Sequence, residues 1–311
     1  MQWFPVIDIT PLAGEATHTP TVAAIADACA RHGFFVVSGH GVAEDVIDRL
    51  DGTTRDFFHL ATAEKSRVGG VTPVGQLGYR ALGLTNTAAS LGRQAPADLV
   101  ETFGIMNVST STRYAAHNIW PTEPTGFRQA WSEYWLAMEV VQDRLLRAFE
   151  AALGLGAGWF ADKFDRAGSS LKANFYPAQT GSPLPGQQRR GAHTDFGFMT
   201  LLYQDDAPGG LQVEVAEGEW VDVPHVPGTL VVNVADLLSR WTNGRWISSM
   251  HRVANPGHGG RERISVPFFV NPNDDALIAG IPGCESATQE PPVLAGEWVR
   301  AKFGKSTTMT V

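Results

Sequence analysis

Two hydrophobic rhythms divide this chain. Up to about residue 165 apolar side chains return mainly at helical spacing, and from about 170 they fall in short runs between turns. Val22, Ile25, Ala26 and Cys29 predict a helix over about 20–32, opened by Thr19-Pro20 and closed by Gly33. Val46, Ile47, Leu50 and Phe57 predict a second over about 43–58, with a short helical piece at Ala63-Glu64-Lys65. Phe127, Trp131, Tyr134, Trp135, Met138, Val141, Leu145 and Phe149 mark a long helix over about 125–153, ended by Gly154, whose aromatic stripe reads as core packing. Val6–Ile9 and Phe34–Val37 read as short strands. Residues 68–98 carry Gly, Thr, Asn and Ser with no clear period, so they read as a long binding loop or an irregular strand region.

The later rhythm predicts strands at Leu171–Tyr176, Phe198–Tyr203, Leu211–Val215, Glu219–Val223, Thr229–Val234, Ser249–Val253 and Arg263–Val270. Ala235–Trp241 reads as a helical turn or two, and a last helix covers about 293–303. The class is mainly β with flanking helices (α+β), its core a sandwich or barrel. With no repeat, linker or low-complexity tract, one domain over 1–311 is expected. It comprises a mostly helical part with accessory strands (1–165), the β core (166–275) and a tail with a helix (276–311).

Composition narrows the function by exclusion. A net charge of −8 without a basic stripe argues against nucleic acid. Cys29 and Cys284 make no disulfide framework and no zinc knuckle; Cys29 reads as core, and the pair suits a reducing cytoplasm. Met1–Pro5 has no secretory character and no run of about 20 apolar residues occurs, so a cytoplasmic protein without a membrane span is expected.

Chemistry concentrates in His193-Thr194-Asp195, His251 and Arg263-Ile264-Ser265. Two imidazoles and a carboxylate are the donors of the facial triad that binds non-haem Fe(II) and leaves one side open for substrate and O2. In a strand, residues i and i+2 share a face, so His193 and Asp195 converge while Thr194 turns away; Arg263 and Ser265 obey the same rule. Ser248–Val253 reads as a strand with His251 inward. The turn Asn255-Pro256-Gly257-His258-Gly259-Gly260 then sends the chain back, leaving open whether the two strands pair or face each other. The Arg263 guanidinium is a planar fork for a carboxylate, and its apolar flanks, Ile264 and Val266–Val270, place it in a buried strand where it needs an anionic partner. A 2-oxo acid such as 2-oxoglutarate would bind the metal at one end and Arg263 with Ser265 at the other. His18, His59, His117, His225 and His258 read as surface residues, His32 as a helix end and His40 as part of a glycine turn; none repeats a ligand spacing.

On these residues the chain resembles the isopenicillin N synthase-like family of Fe(II)/2-oxoglutarate-dependent dioxygenases, in a bacterial form. The likeness runs from Phe4-Pro5-Val6-Ile7-Asp8 and Gly33–Val42 through Phe57-Phe58 and Glu64-Lys65 to Gly191–Gly197, Gly209–Val213, His251-Arg252-Val253 and Arg263-Ile264-Ser265. It implies a distorted double-stranded β-helix, or jelly roll, with the His251 and Arg263 strands in facing sheets. It also implies Fe(II), 2-oxoglutarate and O2 as cofactor and co-substrates, and places Asn174 and Tyr176 beside 2-oxoglutarate. By the same resemblance Phe269, six positions after Arg263, and Lys172, two before Asn174, reach the substrate. One departure is Ala235 where the family often has glycine, which implies a backbone there that is less crowded or not left-handed. The activity implied is oxidation of a small molecule by hydroxylation, desaturation or cyclisation, with succinate and CO2 as co-products. Specialised-metabolite tailoring, antibiotic biosynthesis included, is the family-level expectation.

Three other readings compete: a family oxidase that uses Fe(II) and O2 without 2-oxoglutarate, a binding jelly roll without chemistry, and a zinc hydrolase, which would have no use for Arg263 and Ser265. The 78–105 region, Phe196, Phe198 and Phe269 are the expected walls of an apolar substrate pocket, and Lys172 is placed to meet an acidic group.

Overall fold

The computed structural model describes residues 3–14, 19–92, 94–109, 112–207, 210–256, 260–285 and 290–307, the last four of these as backbone only. His18 and His258, together with parts of the turns at 205–210 and 255–260, lie outside the described residues.

The first half runs β1 (Val6–Asp8), α1 (Thr19–Arg31), β2 (Phe34–Ser38), α2 (Glu44–His59), α3 (Thr62–Lys65), β3 (Gly69–Thr72), β4 (Gly75–Arg80), β5 (Glu101–Met106), α4 (Phe127–Leu153) and α5 (Ala161–Phe164). Then come β6 (Ser170–Tyr176), β7 (Arg190–His193), β8 (Met199–Gln204), β9 (Leu211–Ala216), β10 (Glu219–Asp222), β11 (Leu230–Val234), α6 (Asp236–Trp241), β12 (His251–Val253) and β13 (Arg263–Val270). The chain closes with β14 (Leu277–Ile278), β15 (Val293–Leu294) and α7 (Ala295–Thr307).

One large sheet has the order β1-β2-β11-β8-β13-β6-β5-β4-β3, and a smaller one the order β10-β9-β12-β7. The His251 strand and the Arg263 strand therefore stand in different sheets, as the jelly-roll resemblance implies. Strand β13 shows how the layers are made. Ile264, Val266, Phe268 and Val270 are fully buried and turn toward the helices, where Phe268 meets Trp135 of α4 at 4.8 Å between ring centroids. Arg263, Ser265, Pro267 and Phe269 take the opposite face. Two apolar layers result. The larger lies between sheet and helices and holds the α4 stripe of Trp131, Trp135, Met138, Val141, Leu145 and Phe149. The smaller, with Phe34, Leu202, Leu211 and Val213, lies between the sheets.

The stretch at 68–98 is mostly structured: β3 and β4 extend the large sheet, and the turn of 3-10 helix Thr87–Leu91 follows. Strand β5 was not among the sequence-based strands; its buried Thr102, Phe103, Gly104 and Ile105 carry no alternation to betray it. Gly33 takes a φ of 62°, and a Cβ there would lie 2.1 Å from the Ile247 carbonyl oxygen, so only glycine lets α1 turn directly into β2. Ala235 adopts φ −108° and ψ 171°, an extended conformation that needs no glycine. Cys29 and Cys284 are buried free thiols, and no described helix is long and apolar enough to cross a membrane.

Candidate active site and metal centre

The structure brings His193, Asp195 and His251 together from three elements, with one potential ligand atom of each lying within 4.8 Å of the others. His193 ends β7 and pairs directly with His251 of β12, so the two rings stand side by side, 4.3 Å apart at their centroids. Asp195 corrects the sequence-based picture. Strand β7 stops at His193, so the carboxylate is not presented by strand alternation. It is held in the following loop from the large sheet: Thr200 donates its hydroxyl to Asp195 Oδ2 at 2.6 Å, and Asn233 Nδ2 donates to the same oxygen at 2.9 Å. The Asp236 amide also binds the Asp195 carbonyl at 2.8 Å. These bonds leave Oδ1 facing both imidazoles, 3.8 Å from His193 Nε2 and 3.7 Å from His251 Nε2.

Each imidazole is oriented through its other nitrogen. His193 Nδ1 lies 2.8 Å from the Gly191 carbonyl, and His251 Nδ1 lies 3.1 Å from that of Ser249. A carbonyl accepts only, so Nδ1 carries the proton and Nε2 offers a lone pair. Burial, and then the neighbouring His251, lowers His193 to about 3, so it is neutral, as a metal ligand must be. Against its burial, Asp195 is held below the usual carboxylate range by the neighbouring His251 and His193 and by the hydrogen bonds from Thr200 and Asn233. Two neutral lone pairs and a carboxylate aimed at one point make no stable contact by themselves; a divalent cation between them satisfies all three.

Across the cavity, Arg263 is 1% exposed. Its Nη2 donates to Gln204 Oε1 at 3.0 Å, while Nε and Nη1 have no partner. The Tyr176 hydroxyl, on the residue paired with Arg263 across β6 and β13, is also buried without a partner. Arg263 and Arg189 lie 5.4 and 5.8 Å from the Tyr176 ring centroid. Ser265 pairs with Asn174, whose Nδ2 is 3.4 Å from its hydroxyl. Buried donors without acceptors are rare in folded proteins, and a guanidinium with two idle nitrogens beside an idle phenol fits the carboxylate of a bound acid.

The predicted substrate-side residues separate. Phe269 is only half-buried, pairs with Thr200 and has Lys172 Nζ 6.0 Å from its ring centroid, whereas Phe268 beside it is wholly core. Phe196 packs on Phe303 of α7, 5.3 Å between centroids, and its carbonyl accepts from Trp298 Nε1 at 3.0 Å. Phe198 does not line the cavity: it is fully buried among Phe160, Phe164 and Trp241 on the helix side of the sheet. His59 and His225 are exposed, as expected, while His40 is buried with both ring nitrogens engaged by Gly228 and Val42.

Arg190 was missed. Regular pairing would set Val253 opposite Gly191, but β7 carries an extra residue and Val253 pairs with Arg190 instead. The bulge puts Arg190 on the His193 face, where Nη2 donates to Asn174 Oδ1 at 2.8 Å. The consecutive Arg189-Arg190 just before the histidine was the available signal. Thr200, Asn233 and Gln204 were also passed over, because nothing local distinguishes a strand polar residue that faces a cavity.

Comparison with known proteins agrees with this geometry. The family model for the 2OG-Fe(II) oxygenase superfamily matches residues 167–272, and that for the N-terminal region of non-haem dioxygenases in morphine synthesis matches residues 4–123. Homoarginine-6-hydroxylase 2-ODD-233 of Oryza sativa subsp. japonica is 32% identical over 307 residues, 91% of this chain and 90% of the relative. Validamycin A dioxygenase of Streptomyces hygroscopicus subsp. limoneus is 31% identical over 286 residues, 88% of this chain and 78% of the relative. The crystal structure of the full-length thymine 7-hydroxylase of Neurospora crassa, in complex with alpha-KG and thymine, superposes with a TM-score of 0.86 at 29% identity, covering 97% of this chain and 96% of that one. The chain belongs to the 2OG-Fe(II) oxygenase superfamily. It is a 2-oxoglutarate-dependent dioxygenase that acts on small molecules, with Fe(II) and O2.

Proposed function

We propose that His193, Asp195 and His251 hold the Fe(II), that Arg263 receives the distal carboxylate of 2-oxoglutarate, and that the enzyme tailors a small metabolite. Bound Fe(II), with O2 and 2-oxoglutarate, supplies an oxidative decarboxylation that releases succinate and CO2 and oxidises a substrate C–H bond. The chain's own residues bind, orient and shield. Thr200 and Asn233 hold Asp195 with one oxygen toward the metal. The carbonyls of Gly191 and Ser249 fix the imidazole tautomers. Ser265 and Tyr176 add hydroxyl donors to the Arg263 fork, and Asn174 lines the path between the two ends. Phe269 and Phe196 form apolar wall on the substrate side.

The observation that carries this reading is the set of idle buried donors, Arg263 Nε and Nη1 and the Tyr176 hydroxyl, on the large sheet opposite the triad. Tailoring of a specialised metabolite is supported by the similarity to validamycin A dioxygenase. The test is Arg263→Leu. Hydrogen bonds to charged groups contribute about 1.5–3 kcal/mol each, so the KM for 2-oxoglutarate should rise at least about tenfold while iron stoichiometry stays at the wild-type value. An unchanged KM would remove Arg263 from the co-substrate site.

A further inference from the structure

A second group of cations gathers between the two sheets, away from Arg263. Pairing across the large sheet sets Arg80 opposite Thr102, Thr102 opposite Asn174, and Asn174 opposite Ser265. These side chains form one row on the cavity face. The neighbouring row runs Gly104 and Lys172, so Lys172 has no side chain on its β5 flank; a Cβ on Gly104 would sit 3.6 Å from Lys172 Cε. From the facing sheet, the β7 bulge delivers Arg190 to Asn174. Three cations from three strands thus gather on the Asn174 row close enough to act on one another, with Phe269 beside Lys172.

None of the three forms an ion pair among the described residues. Arg80 donates to the Leu84 carbonyl, and Arg190 to Asn174 and, at 3.4 Å, to Thr87, while Arg190 Nε is buried without a partner. The nearby acids are committed elsewhere. Asp98 accepts from the Thr87 amide and hydroxyl and from the Gly191 amide. Glu101 is taken by Lys65 and Tyr79, and Asp195 turns its oxygens to Thr200, Asn233 and the two imidazoles. Burial, then Arg190 and Arg80, lowers the Lys172 ammonium to about 8, and the pull of Asp195 only partly opposes them. Charges of one sign without counter-charge are costly to hold together in a partly buried site. Such an arrangement persists where a ligand supplies the missing charge.

We propose that the prime substrate is an organic acid with an apolar body, its carboxylate received by Lys172, Arg190 and Arg80 and its body laid against Phe269. This rests on the assignment of Arg263 to 2-oxoglutarate, since otherwise the second cluster could serve the co-substrate. Phe269 stands between Lys172 and Thr200, the residue that holds Asp195, so an acid anchored at Lys172 extends its carbon chain toward the triad.

The test uses the full chain loaded with Mn(II) and 2-oxoglutarate, with hexanoate, octanoate and phenylacetate as probes and their uncharged amides as controls. Binding is measured by calorimetry. The acids should bind at least about tenfold more tightly than their amides, the scale of one charge-assisted contact. Lys172→Met and Arg190→Met should each bring that preference below about threefold, and leave 2-oxoglutarate affinity within about threefold of wild type. Arg190→Lys, which keeps the charge, should retain the preference. Without ligand, Lys172→Met should melt no lower than wild type, because it removes repulsion, whereas a structural lysine would cost stability. Equal binding of acids and amides to the wild type overturns the proposal. So does a loss of 2-oxoglutarate affinity in the Lys172 or Arg190 variants in place of the acid preference. Failure of the underlying assignment appears separately, as Arg263→Leu binding 2-oxoglutarate normally.

Discussion

Asp195 shows how much of this site depends on residues that touch no substrate. Its position comes from two side chains on strands β8 and β11, Thr200 and Asn233, not from its own strand. Outer partners of a metal ligand typically cost about 10–100-fold in metal affinity when removed. Thr200→Val and Asn233→Leu should each weaken metal binding by that order, read by competition with a chelator. Unaltered affinity in both would mean that the loop alone places the carboxylate. Asp195→Glu lengthens the arm by one methylene and should displace the metal although the donor type is kept. That His193, Asp195 and His251 belong to one constellation was legible from residue type and spacing; the reason they meet was not. The alternation rule for His193-Thr194-Asp195 presumes a strand, and the strand ends at the first of the three. Arg190 escaped for a related reason: a one-residue bulge decides which face it takes, and a bulge has no local signature in this sequence.

At the scale of elements, the separation of core from cavity is a parity along β13. Neighbouring Phe268 and Phe269 make the comparison direct, since they share type and strand but not face. Trp135→Ala, which removes the ring packed on Phe268, should cost about 3–5 kcal/mol of stability and leave metal affinity unchanged. Phe269→Ala should cost far less in melting temperature, while raising succinate formed per product made, because the substrate loses its wall and not the fold its core. A melting loss equal to that of Trp135→Ala, with an unchanged ratio, would return Phe269 to the core. Long periodic elements were readable: α1, α2, α4 and β13 fall within a few residues of their expected bounds. Strand β5 was not, because a fully buried strand shows no alternation, and β3 and β4 were legible only as the irregular strand alternative for 68–98. The 78–105 region was expected to wall a pocket, but without the strand registers the places of Arg80 and Gly104 in the sheet were not legible.

The whole molecule places two kinds of cation opposite one triad. Arg263 lies deep, on the large sheet, beside the idle Tyr176 hydroxyl. Lys172, Arg190 and Arg80 gather on the row of Asn174, apart from Arg263. Helix α7 packs over the same region, with Trp298 bonded to Phe196 and Lys302 bonded to Asp236 at 2.8 Å. The jelly-roll core and its cofactors were legible because the ligand and arginine motifs carry family-specific spacing. The substrate side was less so, because its residues come from four strands whose registers only folding sets. The central claim is that this cavity turns over 2-oxoglutarate on iron held by the triad. Its measurement is succinate release by the Fe(II)-loaded protein in air with 2-oxoglutarate and no other substrate. Slow release is expected that stops in His193→Ala and falls at subsaturating 2-oxoglutarate in Arg263→Leu. An iron-loaded protein that forms no succinate, yet consumes an organic substrate and O2, would contradict the account and make the chain an oxidase.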